Sequence, residues 1–475
     1  MDRRTLLCTT GTAAAAFLPT LSFAASGERT RTNASTKTID GTFTPGAPDW
    51  YYLPVEVPEG ANRIEVGYSY DKPQAPAGQY GNACDIGIFG PEGEFRGYSG
   101  GAREQFSIRA GDATSGYIPG PITPGLWHVC LGPYTVAPQG MHYRVTVTIG
   151  FGDPGEPRRP VPAPVTAPGR ERGHSWYRGD NHLHTVYSDG KRTLDQLVAD
   201  ARAAGLDFIT STEHNTHSAQ LVLGEHARPD LLMLNGEEVT TRSGHWPAIG
   251  LPAGTWIDWR YRAGDPGAFA TFTRQVHAAG GLVIAAHPFA DCFGCTYEFS
   301  YELADLVEVW NGPWTPDDEA AVTTWDGLLR TGRFIPAIGD SDAHKPTDVV
   351  GLPQTVVRAA SLRSEDLLAG LHGGHSWLAE SAKVDLRFTA STANARAEIG
   401  ERLRAGPGEQ VRVELEVARV PGCTTRVLSQ LGPVATGAGS LSWETRPRYT
   451  KWVRAEVRRG SAMVALTNPI FIGSR

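Results

Sequence analysis

Five short groups of side chains in the middle of this 475-residue chain are of the types that hold metal ions. In order they are Asp180-Asn181-His182-Leu183-His184 with Ser188-Asp189-Gly190; Thr212-Glu213-His214-Asn215; Gly236-Glu237-Glu238 with His245; Ala285-Ala286-His287-Pro288; and Asp340-Ser341-Asp342-Ala343-His344. Histidines at i and i+2 on a strand share a face, so His182 and His184 can grip one ion. Asp189, in the turn that follows, can reach a second. Imidazoles with carboxylate oxygens suit Zn²⁺, Mn²⁺ or Fe²⁺ and do not suit Ca²⁺ or Mg²⁺ alone. Such ions neutralise the charge of a phosphoester and activate water, so no Ser or Cys nucleophile is required. Arg242 and Lys345 lie near strand ends and are candidate assistants for a phosphate oxygen, as are His217 and Asn311 for other parts of a substrate.

These groups must be positioned by the elements before them. Apolar strands are expected to end near His184, Thr212, Val239, His287, Trp310 and Asp340, with helices over 193–204, 269–279, 317–331 and 364–372. That alternation implies a parallel sheet or an α/β barrel, whose C-terminal strand ends form one face. Segments up to 160 residues apart are thereby expected to converge. Of 14 histidines, 12 fall between His174 and His375, the clustering expected of metal ligands. His174, His226, His277, His372 and His375 lie away from the strand ends and are read as structural.

The flanks read differently. Residues 40–150 carry strand-like runs separated by Pro-Gly turns, the pattern of a β-sandwich. The turn and strand Pro124–Val129 loosely resemble a small sandwich appended to secreted peptidases. Residues 151–173 form a Pro-rich, semi-rigid linker, residues 174–378 the metal-binding region, and residues 381–475 a second β-sandwich. Residues 1–24 resemble a twin-arginine export signal: Arg3-Arg4, a small and apolar stretch, then Ser22-Phe23-Ala24. The expectation is an exported protein, periplasmic or extracellular, handled by the twin-arginine machinery. The net charge of −7 argues against a nucleic-acid partner. Cys84 and Cys130 can bridge within one sandwich. Cys292 and Cys295 have a metal-like spacing without a second such pair, and read better as a local disulfide or free thiols.

The ordered motifs His-x-His with Ser-Asp-Gly, Thr-Glu-His-Asn, Gly-x-Glu, Ala-His-Pro and Ser-Asp-Ala-His resemble the polymerase and histidinol phosphatase (PHP) metallohydrolases. The resemblance implies a distorted (β/α)7 barrel holding two or three divalent ions (Zn, Mn or Fe). It implies one ion on His182, His184, Glu238 and Asp342. A second would share Glu238 and be held by His287 and His245, and a third by Asp189, His214 and His344. Glu238, not Glu237, is the expected bridging carboxylate. With a sandwich on each side, the whole is similar to the exported carbaryl-hydrolase-like branch of that family. The expected function is a metal-dependent phosphoesterase acting on a small phosphorylated molecule. One alternative is a carbamate or aryl-ester hydrolase, for which Trp246, Trp256, Trp259, Trp310 and Trp314 could line the pocket. The other is a non-catalytic envelope-binding protein.

Overall fold

The computed structural model describes residues 34–74, 80–292 and 294–474. The expected export signal lies outside these residues. The first described layers are two four-stranded antiparallel sheets. One orders strands Ala34–Phe43, Met141–Phe151, Ala61–Tyr70 and Gln105–Arg109; the other orders Tyr51–Val57, Gly125–Thr135, Ala83–Phe89 and Phe95–Ser99. Alternating residues such as Ile64, Val66, Ile86, Ile88, Val129, Val145 and Val147 point inward and fill the space between them. Cys84 and Cys130 are free rather than bridged. Their strands pair with Gly87 opposite Cys130, which puts Cys84 three residues away along the ladder and on the other face. Cys292 and Cys295 do form a disulfide.

The central sheet starts at Ser175–Asp180, which pairs in parallel with Phe208–Ser211, itself parallel to Leu232–Thr241. Strand Gly244–Ile249 folds back antiparallel as a hairpin. It leads on to the parallel strands Leu282–Ala285, Leu306–Asn311 and Ala337–Asp340. On the other side, Gln354–Ala359 and Ser376–Ala379 are antiparallel additions. Four α-helices are present among the described residues: Leu194–Ala203, Ala268–Ala278, Pro316–Arg330 and Ser364–His372. They match the expected helices closely because local signals specify them. Thr193 with Gln196, and Thr315 with Asp318, form capping boxes, and Leu194, Leu197, Val198 and Ala201 make one apolar face. Among the described residues no helix is long and apolar enough to cross a membrane.

The expected distorted (β/α)7 barrel is not what the structure shows. The fold is mixed α/β and rich in sheet. Only short 3₁₀ turns, Ala219–Leu221 and Leu223–Glu225, follow the second strand, and a tight hairpin follows the third. The sheet still curls until its ends meet through side chains. Asn181 N donates to Asp340 Oδ1 (2.7 Å), Ser341 N donates to Asp180 Oδ1 (3.0 Å), and Gly339 N donates to Thr355 Oγ1 (3.0 Å). This curl brings the first and last donor groups together.

The C-terminal strands extend the same sheet, since Ser376–Ala379 pairs with Ala462–Thr467. A four-stranded sheet packs over that extension through Phe388, Val413, Val427, Val453 and Val457. Arg454 is buried and binds Asp326 of helix Pro316–Arg330 at 2.9 Å, tying the extension to the site-bearing layer. The Pro-rich stretch lies against the protein, with Val161 N donating to Leu221 O (2.8 Å) and Ala167 fully buried.

Candidate metal centre

His182 and His184 lie just past the end of strand Ser175–Asp180 rather than on it, yet the donor groups still converge. Parallel bridges join Leu183 to Ala343 and His214 to Glu238, so the first group lies beside the fifth and the second beside the third. Gly190 lets the Ser-Asp-Gly turn close back on the strand: a Cβ there would lie 2.5 Å from the His184 carbonyl carbon. Among the described residues, four non-glycine positions have positive φ, and three of them are here: Asn215, His287 and Asp342. Two of those are donor residues, held in a backbone conformation that side-chain-bearing residues seldom adopt.

Glu238 is the centre of the cluster. Its Oε2 lies 3.2 Å from His182 Nε2, 3.3 Å from His184 Nε2 and 2.9 Å from His214 Nδ1. Its Oε1 lies 3.1 Å from His245 Nδ1 and 3.4 Å from His287 Nε2. Asp342 Oδ1 is 3.0 Å from His184 Nε2 and 3.4 Å from His182 Nε2. Asp189 Oδ1 is 3.3 Å from His344 Nε2 and 3.6 Å from His214 Nε2. All nine expected donors are thus brought together.

They fall into four overlapping groups whose ligand atoms lie within 4.8 Å of one another: His184, Asp189, His214 and His344; His182, His287 and Asp342; His182, His184 and Glu238; His214, Glu238 and His245. The first contains the expected third-ion set and adds His184. The expected second set is divided, because His287 groups with His182 and Asp342 while His245 groups with His214.

The donor set fits divalent ions. His182 Nε2, both ring nitrogens of His184, Asp189 Oδ1, Glu238 Oε2, His245 Nε2, His287 Nδ1 and Asp342 Oδ1 are buried without an aligned hydrogen bond. Buried polar atoms left so are costly unless a cation lies between them. The electrostatics agree. Burial acts to raise the Glu238 carboxyl, yet His214, His182 and His245 hold it well below the usual range. Burial acts to lower His214 and His344, yet the facing carboxylates carry them up to about 10 and about 9. The carboxylates thus favour protons on His214 and His344, and metal binding there must release them.

Several contributors have no motif to announce them. Glu308 sits fully buried in an apolar strand. Its Oε1 is 3.1 Å from His182 Nδ1, and its Oε2 accepts from His287 N (2.8 Å) and Asn311 Nδ2 (3.0 Å). Such a carboxylate fixes the tautomer and aim of a ligating imidazole. Glu308→Gln is expected to weaken metal affinity about 10–100-fold while leaving the fold intact, as checked by metal titration. Glu213 serves the loop: it accepts from Thr185 N (3.1 Å) and Ser188 Oγ (2.5 Å). Asp340 accepts from Asn181, and burial beside Asp180 and Glu308 raises its carboxyl, so it acts as a brace in the sheet.

A cavity of about 700 Å³ opens above Asp189, His214, His245 and His344, and Arg242, Lys191 and Lys345 line it. Of the five tryptophans expected to serve an aryl pocket, only Trp259 lines it. Trp246 and Trp310 are core residues, and Trp256 stacks on Phe95 at 4.6 Å. His217 packs near Phe95, its ring centroid 5.8 Å away, and is absent from the cavity wall. Gly97-Tyr98-Ser99-Gly100-Gly101 matches the Gly-x-Ser-x-Gly spacing of serine hydrolases. Ser99, however, is buried in strand Phe95–Ser99 and bonds Tyr117 Oη at 2.9 Å, with no base beside it, so it is no nucleophile.

No protein-family model matches the chain, and no curated protein does. Solved structures similar to it include a two-domain protein from Bacteroides vulgatus containing a predicted PHP-like metal-dependent phosphoesterase. It is 18% identical, the match covers 66% of this chain and 100% of that one, and the TM-score is 0.38. An amidohydrolase from Chromobacterium violaceum, with bound sulfate and no metal, is 18% identical over 36% of this chain and 89% of its own, with a TM-score of 0.28. A predicted metal-dependent phosphoesterase from Bifidobacterium adolescentis is 20% identical over 36% and 92%, with a TM-score of 0.26.

Proposed function

We propose that the protein is a metal-dependent hydrolase of small phosphoesters. The observation that carries this is the set of overlapping donor groups sharing Glu238 and His184 beneath a cavity lined by three cations. His182, His184, Glu238 and Asp342 would hold one ion, Asp189, His214 and His344 another, and His245 and His287 would complete a further position around Glu238. Bound divalent ions would supply Lewis acidity and water activation at neutral pH.

The chain itself contributes placement and charge. Glu238 fixes the spacing of the donor groups because both its oxygens are shared. Glu308 aims His182. Arg242, Lys191 and Lys345 face an incoming anion and favour a phosphoryl group over a neutral ester. The runner-up, a carbamate or aryl-ester hydrolase, is favoured by Tyr98, Tyr134 and Trp259 on the cavity wall. We also propose that the protein is exported through the twin-arginine route and has no nucleic-acid partner. The disulfide Cys292–Cys295 suits an oxidising compartment.

The test is metal analysis of the purified protein coupled to a panel of phosphomonoesters, phosphodiesters, aryl acetates and naphthyl carbamates. Phosphoester hydrolysis is expected, lost with chelator and restored by Mn²⁺ or Zn²⁺. Rapid cleavage of the neutral esters with no phosphoester cleaved would promote the runner-up. Absence of stoichiometric metal would favour a binding protein.

A further inference from the structure

The cavity above the donor cluster is not built by the central sheet alone. Asp85, Tyr98, the Gly100–Ala102 turn and Tyr134 belong to the N-terminal sandwich, and all line it. The sandwich is anchored there by the Arg103 guanidinium, which donates to Val186 O, and by Thr216 Oγ1, which donates to Gly116 O at 2.9 Å.

Arg242 reaches into this wall from the hairpin after Glu238. Its side chain is 7% exposed. The guanidinium lies 3.7 Å from the Tyr134 ring centroid, a cation–π contact. Nη2 donates to Asp49 O at 3.4 Å. Nη1 stands 3.9 Å from Asp85 Oδ2, too far for a hydrogen bond, and has no hydrogen-bond partner. Asp85 Oδ2 is already engaged, accepting from Tyr98 Oη at 2.5 Å.

Gly132 makes the room for this arrangement. A Cβ there would lie 3.3 Å from Arg242 Nη2, from Asp85 Cβ and from Tyr98 Oη. A buried guanidinium is costly when a donor lacks a full hydrogen bond, and the sandwich nonetheless holds it in a fixed plane on the cavity wall.

We propose that the N-terminal sandwich is a positioning wall of the active site, in which Asp85, Tyr98 and Tyr134 hold Arg242 so that its guanidinium binds an oxygen of the substrate's phosphoryl group. This rests on the phosphoester reading. Arg242 is the recognition residue. Asp85, Tyr98 and Tyr134 are positioning residues that act through it.

The experiment uses the full-length, metal-loaded protein, the best phosphoester of the panel, and inorganic phosphate as competitive inhibitor. Arg242→Gln is expected to raise KM and the phosphate inhibition constant together by about 10–100-fold, the range for a charge-assisted bond, with metal content unchanged. Arg242→Lys keeps the charge but loses the planar stack, and should recover only part of that loss. Gly132→Ala, which only crowds the cradle, should move both constants the same way by a smaller factor, with kcat changing less. If Arg242→Gln and Gly132→Ala fold, hydrolyse the phosphoester and keep the parental KM and inhibition constant, this inference is wrong and the phosphoester reading stands. If the parent protein neither cleaves phosphoesters nor is inhibited by phosphate, both fall.

Discussion

Glu238→Gln should lower turnover by about 10³-fold and strip bound metal, whereas Glu237→Gln should change either quantity by less than about threefold. The two residues are adjacent on strand Leu232–Thr241 and point to opposite faces. Five imidazoles surround the carboxylate of Glu238, three at one oxygen and two at the other. An amide in that place removes the negative charge and turns N–H donors toward ring nitrogens, so both faces of the arrangement fail at once. Glu237 is equally buried but lies apart from the donors. Its Oε2 accepts from Ile257 N at 3.0 Å, and burial, with a small push from Asp258, raises its carboxyl well above the usual range. Burial thus favours its neutral form, and glutamine is a near copy of a neutral carboxyl with its acceptor still available to Ile257. Metal content by elemental analysis and kcat on the panel substrate read the difference. Equal losses in the two variants would remove Glu238 from its central place.

The legible parts of this protein are those specified locally. Capping residues and apolar stripes mark the four helices, and runs of β-branched residues mark the strands that lead to donor motifs, so the five donor groups could be named from their types and spacing, and the nine donors among them from the resemblance to the PHP enzymes. The illegible parts are those created by packing. Strand Gly244–Ile249 carries Pro247, which counts against a paired strand, yet Pro247 sits opposite Glu238 in the hairpin. That hairpin, and not a helix, follows the third strand, and it is why a regular barrel does not form. Glu308 reads as a stray charge in an apolar strand until the curl of the sheet puts His182 against it. Asp85, Tyr98 and Tyr134 read as sandwich residues, and no periodicity reports that the sandwich leans over a cavity opened by residues from Ser188 onward. The positive φ at His287 and Asp342 has only a weak local signal, since Asp and His tolerate that region more often than most residues but seldom occupy it.

His184→Ala and His217→Gln should separate metal binding from stability. His184 belongs to two donor groups, and its ring stacks between His214 at 4.4 Å and His344 at 4.0 Å. Its loss opens positions in both groups that water fills weakly, so bound metal should fall by at least one ion and turnover by more than about 100-fold. The sandwiches keep their own cores and should stay folded. His217 is also buried, but burial alone pushes its imidazole down to about 4, and it touches none of the donor groups. The folded protein thus refuses a proton that the unfolded chain accepts near its ordinary pKa of 6.5. Its contribution to stability is whole above about pH 6.5 and is lost progressively as the pH falls toward 4. Thermal melts of the parent should drop through that window, and those of His217→Gln should drop less, because glutamine takes up no proton. At pH 7 the His217 variant should retain parental metal content. A His217 variant that lost metal as His184→Ala does, or a His184 variant that kept it, would show that the two histidines have been assigned to the wrong roles.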